Sequence, residues 1–585
     1  MAVWYFIRVV LTVIQAAKVR GRKSSQQLVS KDLAANTRML YSEPLDMESN
    51  EYRGHDSNSC PYYRQLDQET NTTEVGLKEL KLTSAQGCQF CTILVEAIRL
   101  FSKKVDQDSD CAVDIREGYS GLWDISMNDK PIFQMFTLPI PLGRKQQLYV
   151  GSKANLDLIM PWINACSQNH LKCNSQGEQF MPARVLDVGI PWLTLPATFR
   201  DAVKLTRYLG IRYLWIDCLC IIQDDTQDWV NQSPQMSNIY GGSFLTISAT
   251  VSVNSTEGIF RRVSHSAGQI EVPDPLILGA STGLFVRSYR YVAHDQFRFL
   301  TPTPGDGREE WDYEHPLLRR AWAYQEQLLS PRVLFCGHHE LYWQCNQELQ
   351  CYCSTRVYRF DGIKAMFADV IREERECTQP WQRIVELYSG KDITHEQDRL
   401  PALSGIAQRF QVIRGSQYLA GLWKDNLIHD LCWHVAEYGR RPQSYLAPSW
   451  SWCSVLGKVS HLSRWVNKDH IDIQSSVCIP TTSNPTGSVS SGHICVTGYL
   501  ATGKPSVGFS DAFEDDQEAI QRSKGTAFGL RLGSGGFIAT KGRTILLLLF
   551  QPDGMSTQFK RFGIAMIDTN KWINVAEERR EITII

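Results

Sequence analysis

Apolar residues gather along the chain in short blocks separated by polar stretches, and the spacing within each block predicts an element. Residues 84–104, SAQGCQFCTILVEAIRLFSKK, return apolar side chains at helical intervals and predict an amphipathic helix starting near Ser84. The stretch 150–180 predicts another helix and then carries the cluster CSQNHLKC. The clearest pattern runs from 181 to 250. VLDV (185–188) is a short strand candidate. After Pro196, TFRDAVKLTRYLG puts Phe199, Ala202, Val203, Thr206 and Leu209 on one helix face. Thr198 and Asp201 read as a capping-box-like start, and Gly210 suits the C-terminal cap. RYLWI (212–216) is a continuous apolar run of the kind buried on both faces of a parallel sheet. DDTQDWVNQSPQMSNIY predicts a second helix capped around Asp225 or Thr226, and FLTISA (244–249) a second β-rich run. The order β-α-β-α-β, with short connections, predicts a doubly wound α/β unit.

Outside that unit, residues 316–345 predict a helix, a stop marked by Pro331, and two strands across a turn at Gly337. Residues 381–412 are helical in pattern, whereas 446–500 and 525–585 are β-rich, with 481–492 (TTSNPTGSVSSG) as a loop. Residues 18–80 are polar and poorly patterned, as linkers and partly disordered segments are. The opening MAVWYFIRVVLTVIQAAKVRGRK has its basic residues after the apolar stretch, with Arg8 inside it. That polarity is wrong for secretion, and the stretch is too broken to span a bilayer. It is expected either as a peripheral helix or as sequence ahead of the true start.

A length of 585 residues implies roughly three or four folding units, and 43% hydrophobic residues supply material for packed cores. A formal charge of −1 without a long Lys/Arg run gives no electrostatic footprint for nucleic acid. The 17 cysteines are spread thinly, several of them (Cys218, Cys220, Cys432) inside apolar segments. That usage predicts reduced thiols and a cytoplasmic location, with no stable membrane insertion.

Candidate chemistry is sparse. Asp217 falls at the carboxyl end of a predicted parallel strand, the edge where ligand crevices form in open α/β sheets; an Asp there also caps the following loop. Trp229, Met236, Ile239 and Tyr240 make one helical stripe, interrupted by Gln232 and Ser233. Gln232 cannot serve as a general base, because a carboxamide has no proton equilibrium in the useful range. Cys88-x-x-Cys91, together with Cys166, His170 and Cys173, offers a Cys₃His zinc set with one cysteine spare; Cys88 and Cys91 also fit a helical core. Cys345, Cys351 and Cys353 read as core cysteines. Gly-rich phosphate loops, G-x-S-x-G, H-E-x-x-H and kinase signatures are absent from the sequence.

Two long blocks then become recognisable. LPATFRDAVKLTRYLGIRYLWIDCLCIIQDDTQDW, continuing to the Met and Ile-Tyr near 240 and to LTISA, resembles the HET (heterokaryon incompatibility) domain of filamentous fungi. PLLRRAWAYQEQLLSPRVLF resembles that domain's closing motif. GCQFC, CSQNHLKC, RVLDVG, DRLPALSGIA, APSWSWCSV and the terminal REITII are also similar to pieces of such proteins, so the likeness extends over most of the chain from about residue 84. The resemblance implies non-self recognition and programmed cell death, a TIR-like doubly wound α/β fold, and protein partners or self-association. By fold analogy alone it implies cleavage of NAD, with Glu326 and Asp217 as the acid–base or crevice carboxylates and Trp322 and Gln325 beside them in the closing motif.

The chain departs from the family pattern at two places. RVLDVG (184–189) runs straight into IPWLTLPATFRDA, so the expected first core strand and its loop are absent before Ile190. Either VLDV substitutes, or the domain is compromised, or an exon was skipped. At 232 a Gln stands where relatives often carry Glu. The resulting expectation is a poorly ordered segment at 1–83, a helical Cys-containing region at 84–180, the HET domain at 181–340, a mostly helical region at 341–445 and a β-rich region at 446–585. A non-enzymatic oligomerising signalling module, or an inactive truncated copy, is the alternative.

Overall fold

The computed structural model describes residues 10–14, 72–101, 111–137, 151–174, 189–260, 270–288, 315–373 and 377–585, with short gaps inside several of these ranges. Among the described residues the first element is strand β1 (Val10–Ile14). Next come β2 (Thr72–Gly76), helices α1 (Leu77–Ala85) and α2 (Gln89–Phe101), and strands β3 (Ala112–Glu117), β4 (Leu122–Met127) and β5 (Lys130–Thr137). The helix expected over 84–104 is α2, which starts at Gln89, while Ser84 lies at the end of the preceding α1; the two are parted at Gly87, whose φ of +96° is open to glycine and strained for other residues. The region 84–180 holds three strands as well as helices, and VLDV (185–188) lies outside the described residues.

Helices α3 (Ile159–Asn169) and α4 (Leu171–Asn174) precede α5 (Ala197–Tyr208), β6 (Tyr213–Trp215), α6 (Asp217–Cys220), α7 (Thr226–Gln232), α8 (Met236–Gly241) and β7 (Leu245–Ser248). Pro234 interrupts the expected continuous helix between α7 and α8 with a short 3₁₀ turn. Asp225 caps α7 as anticipated, its side chain accepting the Gln227 and Asp228 amides. Thr198 and Asp201 do not form a capping box. Thr198 Oγ1 accepts the Gly258 amide and Asp201 Oδ2 the Ile259 amide, so both hold a distant loop.

Strands β8 (Ile270–Pro273) and β9 (Ser281–Ser288) precede helix α9 (Ala321–Leu329), strands β10 (Arg332–Cys336), β11 (Leu341–Cys345), β12 (Glu348–Cys351) and β13 (Ser354–Arg359), and helices α10 (Ile363–Glu373), α11 (Thr378–Ser389) and α12 (Pro401–Arg414). The C-terminal strands are β14 (Ile471–Pro480), β15 (Val489–Gly503), β16 (Ala527–Gly535), β17 (Arg543–Phe550), β18 (Gln558–Asp568) and β19 (Glu577–Ile584).

The central sheet runs β13-β12-β11-β10-β7-β1-β6. β10 and β7 are parallel, while β1 lies antiparallel to both β7 and β6, so β6, β7 and β10 point the same way. The segment expected as a peripheral helix is thus a strand one in from the β6 edge, paired on both flanks. Thr12 faces Trp215 on one flank and Thr246 on the other. This reversed N-terminal strand satisfies the facing ladders of β6 and β7.

Alternation along β10 and β11 divides the core. Leu334, Leu341, Trp343 and Cys345 join α3 and α5 on one face, whereas Val333, Phe335 and Tyr342 meet α8, α9 and α12 on the other. This is a mixed α/β layer structure, helices on both faces of one sheet. A six-stranded antiparallel sheet, β2-β3-β4-β5-β9-β8, carries α1 and α2 in the N-terminal part. In the C-terminal region β16, β17, β18, β19 and β15 pair in sequence, and β15 also pairs with β16, which closes these five strands into a ring, with β14 left as an edge strand on β15. The β-rich expectation for 446–585 holds, apart from residues 489–492, which belong to β15 rather than to a loop.

Candidate functional site

Asp217 stands where β6 ends, as expected, and it is the first residue of α6. It is 5% exposed, and its Oδ1 accepts the Cys218 amide at 2.7 Å. That bond and its burial match the capping role of Asp at such a turn. Asp228, on α7, reaches back to the end of the same turn, with Oδ2 accepting the Ile222 amide at 2.8 Å.

The closing motif occupies α9, every residue of which is buried. Trp322 Nε1 donates to Asp398 Oδ2 at 2.9 Å, and Gln325 Oε1 accepts the Gly405 amide at 2.6 Å. Gln327 Nε2 donates to Ser248 Oγ on β7 at 3.0 Å, while the Glu326 carbonyl accepts the Ser330 hydroxyl at 2.7 Å. Glu326 itself is 1% exposed. Helix α9 therefore works as a key between the sheet and α12. The stripe of Trp229, Met236, Ile239 and Tyr240 packs into the same core, with Trp229 edge-on to Trp322 at 6.3 Å. Gln232 is half-buried at the end of α7. A cavity of about 1210 Å³ lies in the C-terminal region among Arg441, Ser449, His493 and Lys560, and neither Asp217 nor Glu326 lines it.

On the opposite face of the sheet the cysteines and one histidine converge. Cys166 and His170 are one turn apart, which places them on one side of α3. At His170 the backbone leaves helical geometry, with φ −104° and ψ 97°, and the new turn of α4 swings Cys173 back toward both. Cys345, the last residue of β11, faces them from the sheet. The donor atoms of Cys166, His170, Cys173 and Cys345 all lie within 4.8 Å of one another, and all four residues are buried. Cys345 Sγ is 3.3 Å from His170 Nδ1, and Glu348 Oε1 is 3.0 Å from His170 Nε2. Arg332 Nε donates to Cys166 Sγ at 3.3 Å.

Hydrogen bonds to Cys173 and Cys345 pull the Cys166 thiol far below its usual range, and the contact with Cys166 pushes Cys173 far above its own. Hydrogen bonds to Cys166, Cys345 and Glu348 raise the His170 imidazole to about 12.

The expected zinc set is corrected by this geometry. His170 and Cys173 belong together with Cys166, but Cys88 and Cys91 do not join them. Cys91 is buried in the N-terminal core with Leu94, Ile98 and Val113, and Cys88 packs against that same core. Cys345, read from the sequence as a core cysteine, takes their place. Its one local signal is parity with Leu341 and Trp343 on the strand face that α3 covers.

Residues 166–326 match the family model described as heterokaryon incompatibility protein (HET). The chain carries a HET domain. The matched span opens on Cys166 of the Cys/His cluster and closes on Glu326 of the buried key, so it takes in features on both faces of the central sheet. A HET domain implies a role of the heterokaryon-incompatibility type. No curated protein and no solved structure matches the chain. None of the described helices is long and apolar enough to cross a membrane.

Proposed function

We propose that this protein acts in non-self recognition leading to cell death, and that its HET domain signals through protein contacts rather than by cleaving NAD. One observation carries the reading: Glu326, the carboxylate that the fold analogy nominates, is 1% exposed within a helix whose residues are all buried. An acid–base group must come within hydrogen-bond reach of its substrate. Two polar side chains of the closing motif are instead bonded internally, Trp322 to Asp398 and Gln325 to Gly405. These bonds tie the closing motif to the helical region that follows, at Asp398 and at Gly405 on α12. Partner proteins or further copies of the chain are the expected readers.

A TIR-like NAD-cleaving domain is the second reading. It draws on the common direction of β6, β7 and β10, with Asp217 at the carboxyl end of β6. Purified full-length chain incubated with NAD separates the two. The signalling reading expects no nicotinamide above the enzyme-free blank, and cell killing on overexpression that survives Glu326→Gln. Nicotinamide release that disappears in Glu326→Gln would overturn it.

A further inference from the structure

We infer that Cys166, His170, Cys173 and Cys345 bind a structural zinc ion, with Glu348 orienting the histidine. Tetrahedral zinc, with bonds of about 2.3 Å to sulfur and about 2.0 Å to nitrogen, holds its donors about 3.5–3.8 Å apart. The four donor atoms already lie within 4.8 Å of one another, with one pair at 3.3 Å. Small side-chain rotations therefore complete the tetrahedron without moving the backbone.

The surroundings match such a centre. Glu348 on Nε2 fixes the tautomer that presents the Nδ1 lone pair to the metal, the carboxylate–histidine–metal arrangement common around zinc. Three thiolates, a neutral imidazole and a divalent ion sum to −1, and the Arg332 guanidinium on Cys166 offsets that charge. Soft sulfur donors with one imidazole favour zinc over the hard cations magnesium and calcium. All four ligands are protein atoms and all four residues are buried, so no position is left for a reactive water. The centre is structural.

Its placement says what it holds. Three ligands come from the α3–α4 bend and the fourth from β11, so the metal pins the entry of the matched HET segment to the sheet. The β11–β12 turn grips the same bend: Asn346 Nδ2 donates to the Lys172 carbonyl at 2.9 Å, and the Lys172 amide donates to Gln347 Oε1 at 3.2 Å. This inference stands apart from the signalling proposal, because metal content is read without any assay of recognition or NAD.

Full-length chain purified without chelators or metal-affinity resin is expected to contain about one zinc per molecule by plasma mass spectrometry. Cys345→Ser should remove most of it, and Cys88→Ser should leave it in place. Glu348→Gln, which keeps all four ligands, should weaken zinc retention against a chromogenic chelator by about 10–100-fold. Because a ligand variant can fail to fold, the parent chain exchanged into cobalt gives an independent reading: sulfur-to-cobalt charge-transfer absorption with the visible bands of a tetrahedral site. Folded chain with background zinc and no such cobalt spectrum overturns the proposal. So does zinc that is lost with Cys88→Ser and retained with Cys345→Ser, or a Cys166–Cys173 disulfide in folded, metal-free protein.

Discussion

Gln325 Oε1 accepts the backbone amide of Gly405 at 2.6 Å across 80 residues of chain, joining the last turns of the HET domain to the helix that leads into the C-terminal region. The contact requires glycine on α12. A Cβ at 405 would stand 3.0 Å from Gln325 Oε1 and 3.0 Å from Leu329 Cδ1, both inside a packed core. Gly405→Ala is therefore expected to destabilise the chain by about 1–3 kcal/mol despite the better helix propensity of alanine. Urea unfolding of parent and variant checks this, and an unchanged or higher midpoint would show that α9 and α12 can separate freely.

Strand β1 makes a stronger demand, because it pairs on both flanks. Thr12→Pro removes a donor from a strand set between Trp215 and Thr246. A facing acceptor then loses its partner inside the sheet, at about 1–3 kcal/mol. The expected result is a lower thermal midpoint and faster hydrogen exchange in β6 and β7. Exchange that stays as slow as in the parent would mean that β1 does not pair between β6 and β7.

Arg561 is enclosed in the C-terminal region with its guanidinium carbon 3.4 Å from the Trp433 ring centre and its Nε donating to Asp515 Oδ2 at 3.0 Å. Both side chains are fully buried. Asp515→Ala leaves the guanidinium without its counter-charge, which costs about 3–5 kcal/mol. Loss of near-ultraviolet tryptophan dichroism at lower urea than in the parent would register it, and coincident curves would contradict it.

Lys391 supplies a pH dependence. Its Nζ donates to the Leu318 carbonyl at 2.6 Å and lies 5.1 Å from the Tyr324 ring centre, and burial pulls the ammonium down to about 7. The unfolded chain keeps that proton to about pH 10.4. Between those values the unfolded state binds a proton that the folded state lacks, so this residue makes stability rise with pH and contributes no slope below about 7. Other groups titrate in the same window, and Lys391→Met isolates the effect. Any stability advantage of the variant over the parent should shrink between about pH 7 and about pH 9. A difference that stays constant across that range would show that Lys391 keeps its ordinary proton affinity.

What could be read in advance follows the range of the interactions. The Asp225 cap was legible because a capping oxygen bonds amides two and three residues away. Thr198 and Asp201 offered the same local pattern, but their partners lie 60 and 58 residues downstream. Gln325 and Trp322 were recognisable as motif residues, while their bonds to Gly405 and Asp398 needed the packing of α9 against later helices. For the same reason Glu326 drew attention as a carboxylate, and only the packing of α9 showed it to be enclosed.

Periodicity and local chemistry alone determined β6, β7, α5, the hairpin of β10 and β11 and the β-rich C terminus, because each rests on contacts between residues near in sequence. The HET signature was equally local, a string of side chains readable in order. Tertiary structure decided the rest. It chose the N-terminal apolar stretch as the strand between β6 and β7, since open backbone ladders accept any segment of suitable length whatever its position in the chain. It also chose Cys345 over Cys88 and Cys91, since ligand spacing in sequence constrains only the donors on one local element. The remaining donor arrives from a strand whose register is set by the whole sheet.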